Sequence, residues 1–385
     1  MSKTKGIAIF SAQFYPHMGG VERYTYKLAA EMVRKGYDVV VVTSSVNGKT
    51  YTEDFENGMT VVRVSSYQMM NGRMPVMRHS HGLSKIIAGE FQRHCVKFCI
   101  VNTRFYLLSV FGMRYARKNN IPFITIEHGS NYLTFNNVIL DAAEKVYEKT
   151  ITAIGKRYCD DYYAVSEFSL KWLREFGIEG KGVLYNSIDP DDYPERPVPQ
   201  SVADKIKPFD GAVKIAFAGR LIEEKGINSL IHAYKIVREK YNVCLIIMGT
   251  GPLERRITES GYPDVIFLGQ QDNIDVVNVL RMSDIFCLPS RSEGFSTSVL
   301  EAALAKCCII TTKNGGSAEL ISSNELGLII DGDSPECVEN ALEMTIKDPK
   351  YIKSTGENVY RRVINQFAWK KCADKLEEVI IATNI

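Results

Sequence analysis

Two glutamates eight positions apart, Glu293 and Glu301, bracket the turn Gly294-Phe295-Ser296-Thr297. A strand-like run, residues 284–290, precedes the turn, and a helical run, 299–305, follows it. A tight turn between a buried strand and a helix aims free backbone N–H groups and the positive helix end at one spot, which suits a phosphate. Carboxylates on either side suit hydroxyls, such as those of a sugar or a ribose. Glutamates on helices usually face solvent, and the segment by itself leaves a glycosidase pair, a metal site and a phosphate loop open.

Three further clusters lie at predicted strand ends. Arg220 and Lys225, in Gly219-Arg220-Leu221-Ile222-Glu223-Glu224-Lys225-Gly226, are two cations five apart that can converge on a diphosphate. A solvated loop is their ordinary alternative. Gly19-Gly20-Val21-Glu22-Arg23 follows the first strand and opens a helix, so its backbone can approach an anion closely. It is not the G-x-G-x-x-G fingerprint, and a structural turn explains it equally well. Glu127-His128-Gly129 ends another strand, where a neutral imidazole can hydrogen-bond a sugar hydroxyl or help stabilise developing positive charge.

The elements that must position these residues alternate. Apolar, β-branched runs at 6–11, 38–43, 60–64, 98–102, 123–127, 162–165 and 183–185 are separated by helical stretches such as 22–35. The pattern repeats with strands at 213–218, 243–248, 265–268, 284–288, 308–312 and 328–330, and a helix at 227–240. Runs with little alternation are strands buried on both faces, so this is βαβα twice over and an α/β fold with two doubly wound domains. The proline-rich segment 189–199 marks the boundary: an N-terminal domain over 1–188 and a C-terminal domain over 189–366, followed by an amphipathic helix over 367–385. Ligands of such sheets sit beyond the carboxyl ends of the strands, and two domains facing each other would form a cleft.

Composition bounds the class. The 385 residues are too many for one ordinary core, and 45% hydrophobic with 24% charged residues is typical of a globular enzyme. No apolar run approaches the ~20 residues of a membrane span. The first strand begins too early to leave room for a signal peptide, and nine cysteines without a C-x-x-C pair suit a reducing compartment, so a cytoplasmic location is expected. The net charge of +2 hides an asymmetry: residues 1–185 carry 24 Lys/Arg against 16 Asp/Glu, and the rest carry 23 against 29. Arg73, Arg78, Lys85, Arg93, Lys97, Arg104, Arg114, Arg117 and Lys118 face only Glu90. Such a split points to different partners for the two halves. The stretch 75–98 mixes bases with apolar residues and fits either an anionic membrane surface or a surface helix with one core face.

The D-x-D patterns Asp331-Gly332-Asp333 and Asp189-Pro190-Asp191 read as turns, and no metal is inferred from them. Without H-E-x-x-H, clustered Cys/His or G-x-S-x-G, the simplest protease and esterase readings fall. Nothing points to nucleic acid as a partner.

With these residues in hand, the chain resembles the retaining, GT-B-fold glycosyltransferases of family 4. The resemblance runs from Phe14-Tyr15-Pro16-His17-Met18-Gly19-Gly20-Val21-Glu22-Arg23 through Glu127-His128-Gly129, Asn186-Ser187-Ile188-Asp189, Gly249-Thr250-Gly251-Pro252 and Gly315-Gly316-Ser317-Ala318-Glu319 to Phe367-Ala368-Trp369. It departs at Ser187, where the family often has Gly, and at Ala318, where Pro often precedes the Glu. The resemblance implies that Gly19 and Gly20 approach the donor diphosphate. Arg220 and Lys225 would neutralise the departing nucleoside diphosphate, Glu301 would hold the ribose and Glu293 the transferred sugar. The backbone of Gly294, Phe295, Ser296 and Thr297 would sit near phosphate and sugar, with His128 lining the sugar site. It also implies no metal or other cofactor, and a final helix that crosses back to the N-terminal domain.

The implied activity is transfer of a sugar from a nucleotide-sugar donor to a hydroxyl of a saccharide or lipid-linked acceptor, with retention, in surface polysaccharide or glycan assembly. A UDP-sugar is the favoured donor and GDP-mannose the second choice. The basic N-terminal domain suggests peripheral contact with an anionic membrane. A GT-B-fold sugar-nucleotide epimerase and a non-catalytic nucleotide-sugar-binding protein are the alternatives.

Overall fold

The computed structural model describes residues 5–17, 19–69, 74–78, 82–132, 138–259 and 261–383. Met18 of the first motif and Arg73 of the basic run lie outside the described residues. The chain divides into two compact units: Met1–Asn186 with Trp369–Ile385, and Ser187–Ala368.

The first unit contains β1 (Lys5–Ser11), β2 (Tyr37–Ser44), β3 (Tyr51–Phe55), β4 (Met59–Val64), β5 (Ser66–Met69), β6 (Met74–Met77), β7 (Val96–Asn102), β8 (Phe123–Glu127), β9 (Tyr162–Ala164) and β10 (Gly182–Val183). Its helices are α1 (Gly20–Arg34), α2 (Leu83–Arg93), α3 (Leu107–Lys118), α4 (Val138–Gly155) and α5 (Glu167–Trp172). Eight strands form one sheet in the order β10-β9-β8-β7-β1-β2-β4-β3. The pairs are parallel except β3 with β4. Val39, Val40, Val41 and Val42 are all buried, because helices cover both faces of the sheet. Strand β3 is absent from the strands expected from sequence, because its Tyr-Thr-Glu-Asp-Phe is polar and half-exposed. It is an edge strand, held by the ion pair of its Glu53 with Arg63 on β4, and charge on an edge discourages pairing with another chain. The antiparallel hairpin of β5 and β6 is a second addition to the expected elements.

Within the stretch 75–98, whose residues 79–81 lie outside the described residues, α2 takes the ordinary form of a surface helix. Leu83, Ile87 and Phe91 of α2 are buried in the core beside Val96. Arg104 leaves the basic run as well, because it is buried in an ion cluster.

The second unit contains β11 (Val213–Ala218), β12 (Val243–Met248), β13 (Val265–Gly269), β14 (Ile285–Leu288), β15 (Cys308–Thr312) and β16 (Leu328–Ile330). Its helices are α6 (Gln200–Ile206), α7 (Ile227–Lys240), α8 (Glu254–Thr258), α9 (Asn273–Arg281), α10 (Thr297–Leu304), α11 (Ser317–Leu320), α12 (Pro335–Ile346) and α13 (Pro349–Gln366). All strands are parallel, in the order β13-β12-β11-β14-β15-β16.

The final helix, α14 (Trp369–Thr383), belongs to the first unit. The Trp369 ring meets Tyr24 of α1 edge-on at 5.3 Å. Lys35 pairs with Asp374 and Glu377, each at 2.7 Å. Two Rossmann-like α/β units, the first completed by the returning helix, constitute a GT-B fold.

Candidate functional site

In each sheet the strand order reverses at one point, and the loops on either side of that point diverge to leave a crevice. In the second unit the reversal lies between β11 and β14. The loop after β11 carries Arg220 and Lys225, and the loop after β14 carries Glu293. Gly226 locks the two together. It has φ of +71°, and a Cβ there would lie 2.0 Å from the Pro289 carbonyl oxygen, so no side chain fits. Lys225 is thereby delivered against Glu293, and its Nζ forms an ion pair with Glu293 Oε1. The same oxygen accepts a hydrogen bond from Ser290 Oγ at 3.2 Å.

The loop after β15 closes the other side. Glu293 N donates to Asn314 O at 3.1 Å, and Gly316 N donates to Gly294 O at 3.0 Å. A Cβ on Gly315 would lie 2.7 Å from Glu293 Cβ, so that glycine is what admits the glutamate.

α10 then begins at Thr297. Its N-cap, Ser296, makes no side-chain capping bond, which leaves first-turn N–H groups to a ligand. Thr297 is half-buried at the mouth of the turn. Phe295 does not present its ring to a ligand: the ring is buried against Phe367 at 5.4 Å. Its aromatic bulk anchors the turn. Glu301, one turn into α10, is buried. Tyr193 Oη donates to Glu301 Oε1 at 3.1 Å. Arg220 is exposed just beyond β11.

In the first unit the order reverses between β1 and β7. Gly19 caps α1 in an extended conformation, and a Cβ at Gly20 would meet nothing within 4 Å. Glu22 is buried beside this turn, and burial raises its carboxyl pKa.

His128 follows β8, and its Nε2 lies 3.1 Å from Oδ1 of Asn102, the last residue of β7. Asn102 Nδ2 donates to Thr25 Oγ1 at 2.8 Å, and that hydroxyl spends its proton on Val21 O at 2.7 Å. Oδ1 must therefore be the acceptor, so His128 Nε2 carries the hydrogen and Nδ1 keeps its lone pair. The Tyr24 ring meets the imidazole edge-on at 4.7 Å. Burial pushes the imidazole pKa down to about 3. His128 is thus built as a neutral hydrogen-bond acceptor at Nδ1, not as a cation.

Glu127 faces inward. Its Oε1 accepts from His128 N at 3.1 Å and from Gly129 N at 2.6 Å, which fixes the turn. Its Oε2 pairs with Arg104, whose other guanidinium nitrogen pairs with Glu148 of α4. The guanidinium lies over the Phe176 ring at 3.8 Å. Within each unit, then, topology sets the predicted residues beside a reversal: Lys225 and Glu293 in contact, with Arg220 on the β11 loop and Glu301 on α10, and Gly19 and Gly20 after β1 with His128 after β8.

Sequence reasoning missed Ser290, Tyr193, Asn102, Thr25 and Arg104. Arg104 was read only as one of the basic run, and Asn102 only as the end of an apolar strand. The D-x-D carboxylates are engaged locally: Asp189 Oδ1 accepts from Asp191 N, Asp331 pairs with Lys313, and Asp333 pairs with Arg291.

Comparison with known proteins agrees with this fold. Residues 201–362 match the family described as glycosyl transferases group 1, and residues 18–192 match Glycosyltransferase Family 4. An uncharacterized glycosyltransferase of Methanocaldococcus jannaschii is 24% identical over 98% of each chain. The Homo sapiens phosphatidylinositol N-acetylglucosaminyltransferase chain is 25% identical over 98% of this chain and 76% of its own. Anabaena HepE, solved in complex with UDP, superposes with a TM-score of 0.72 at 17% identity, covering 98% of this chain and all 100% of that one. Two successive family matches spanning both units, on a GT-B fold, lead to one conclusion: the chain belongs to the family 4 glycosyltransferases.

Proposed function

We propose that this protein transfers a glycosyl group from a UDP-sugar to a hydroxyl of a membrane-lipid-linked acceptor, with retention and without a metal, in glycan assembly. The observation that carries the reading is the Lys225–Glu293 pair at the β11/β14 reversal, next to the uncapped start of α10 and the buried Glu301. Lys225, Arg220 and the α10 N–H groups supply fixed positive charge for a departing diphosphate, which lowers the barrier where the chemistry is hardest. Glu301 is suited to ribose hydroxyls and Glu293 to hydroxyls of the sugar. In the step we propose, the bond from the anomeric carbon to the phosphate oxygen breaks. The acceptor oxygen bonds to that carbon on the same face, and the departing phosphate oxygen takes the acceptor proton.

The UDP complex of HepE supports uridine over guanosine as the base, with GDP-mannose as the second choice. The phosphatidylinositol acceptor in the name of the human relative supports a lipid. The basic N-terminal half supports an anionic surface nearby. Both family matches are to glycosyltransferases, which does not favour the epimerase reading.

A panel of nucleotide sugars scored for thermal shift and slow hydrolysis tests the assignment. One UDP-sugar is expected both to stabilise the protein and to be cleaved. Stabilisation by a sugar nucleotide that is never cleaved, with or without lipid acceptors, would leave a binding protein instead.

A further inference from the structure

The helix α4 is inside out. Its core-facing positions are Glu144, Glu148, Thr152 and Gly155. Its solvent-facing stripe starts with Val138, Ile139, Ala142 and Val146, and the side chains of Val138, Ile139 and Val146 are 86%, 79% and 66% exposed. At 100° per residue these four fall within about a third of the helix circumference, opposite the buried acids. The reversal has a cause. Arg104 is buried beneath the helix and is held there by Glu127 and Glu148, so the acids turn inward and the apolar residues turn out. Monomers rarely leave such a face to water.

We infer that this face of α4 is a docking surface for an anionic lipid bilayer. Charge selects the occupant. Lys145 and Lys149 are exposed along one edge of the stripe, Lys145 also lying over the Tyr132 ring, and residues 1–185 carry an excess of Lys/Arg. A second copy related by a two-fold axis would set these lysines against each other, whereas anionic headgroups neutralise them. The helix has 18 residues and too much charge to span a bilayer, so it lies in the interface plane with the lysines at headgroup level. Its position suits a lipid-linked acceptor, and here the inference rests on the reading proposed above. Glu148, Arg104 and Glu127 form one chain of contacts from α4 to the backbone of His128. That chain ties the buried face of α4 to the turn proposed for the sugar, and the apolar stripe lies on the opposite face of the same helix. The stretch 75–98, which the sequence allowed either as a membrane surface or as an ordinary helix, turns Leu83, Ile87, Phe91 and Val96 into the core.

The test is flotation of the full chain with vesicles of equimolar phosphatidylglycerol and phosphatidylcholine, or of phosphatidylcholine alone. Wild type is expected to float with the anionic vesicles at low salt and to be partly released at high salt. The variant Val138→Glu/Ile139→Glu/Val146→Glu is expected to lose more than about tenfold in partitioning. Lys145→Glu and Lys149→Glu should each lose about fivefold or more, and only on anionic vesicles. Thermal melting controls for folding, and hydrolysis of the UDP-sugar donor, measured without acceptor, should be unchanged. Equal flotation of wild type and the triple variant overturns the surface. A concentration-dependent dimer that the triple variant abolishes overturns it too, in favour of self-association. Donor hydrolysis absent from every protein would sink the transferase reading while leaving the flotation result to stand by itself.

Discussion

Lys225 and Glu293 lie 68 positions apart in the chain and meet as an ion pair across the β11/β14 reversal. Both are partners proposed for the donor, the cation for its diphosphate and the carboxylate for its sugar. In this structure each satisfies the other, so donor binding as proposed would exchange one set of charge contacts for another.

That exchange predicts a split. Glu293→Gln removes the carboxylate that competes for Lys225, so UDP alone should bind as tightly as to wild type or tighter, while sugar transfer falls. Lys225→Ala should weaken UDP and reduce kcat by about 10²- to 10³-fold, the usual cost of one donor at a developing anion. Calorimetric titration with UDP beside steady-state transfer separates the two. Weaker UDP binding in Glu293→Gln would show that the carboxylate helps hold the nucleotide.

Tyr193 holds Glu301 from a segment 108 positions away. Tyr193→Phe removes one buried hydrogen bond to a carboxylate, a cost of about 1.5–3 kcal/mol. If Glu301 binds the ribose equally in ground and transition states, KM for the donor rises about tenfold or more and kcat stays put. A drop in kcat with KM unchanged would place Glu301 at the reacting centre instead.

The contrast between these residues and the ones read from sequence is physical. Val39 to Val42 announce a doubly buried strand because burial on both faces demands apolar residues whatever the tertiary context. Glu293, Glu301, Arg220 and Lys225 could be singled out as charged residues near strand ends, but their proposed roles came from the family resemblance. Tyr193 and Asn102 were not legible, because their roles exist only through contacts made after folding. The orientation of α4 was not legible for a related reason: a buried charge, Arg104, overrides the rule that apolar residues point inward. β3 escaped because edge strands keep polar residues.

His128 is predicted to stay neutral, with its hydrogen on Nε2, through the working pH range. Burial holds its pKa near 3, and Asn102 from β7, the Tyr24 ring from α1 and the inward Glu127 are the groups around it. In Asn102→Asp a carboxylate faces Nε2, which should raise the imidazole pKa by about 1–3 units. The pH–rate profile should then show an acid limb shifted upward relative to wild type, and ¹⁵N chemical shifts of the ring should report the same titration. Asn102→Asp and wild type with identical profiles and ring shifts would refute the contact's role.

Glu148 offers a test by pH. Burial raises its carboxyl pKa, and the neighbouring Glu144 and Glu127 oppose its ionisation, while Arg104 works the other way. The folded state therefore keeps a proton that the unfolded chain has lost once pH exceeds the ordinary carboxyl range. Stability from this group is present at low pH and declines as pH rises, by at most about 1.4 kcal/mol per unit. Glu148→Gln keeps an acceptor for Arg104 but cannot ionise. Urea denaturation should find it close to wild type at pH 5 and more stable at pH 8. A variant that is instead less stable by about 3 kcal/mol or more at pH 8 would mean that Glu148 is charged, and that its pair with Arg104 outweighs its burial.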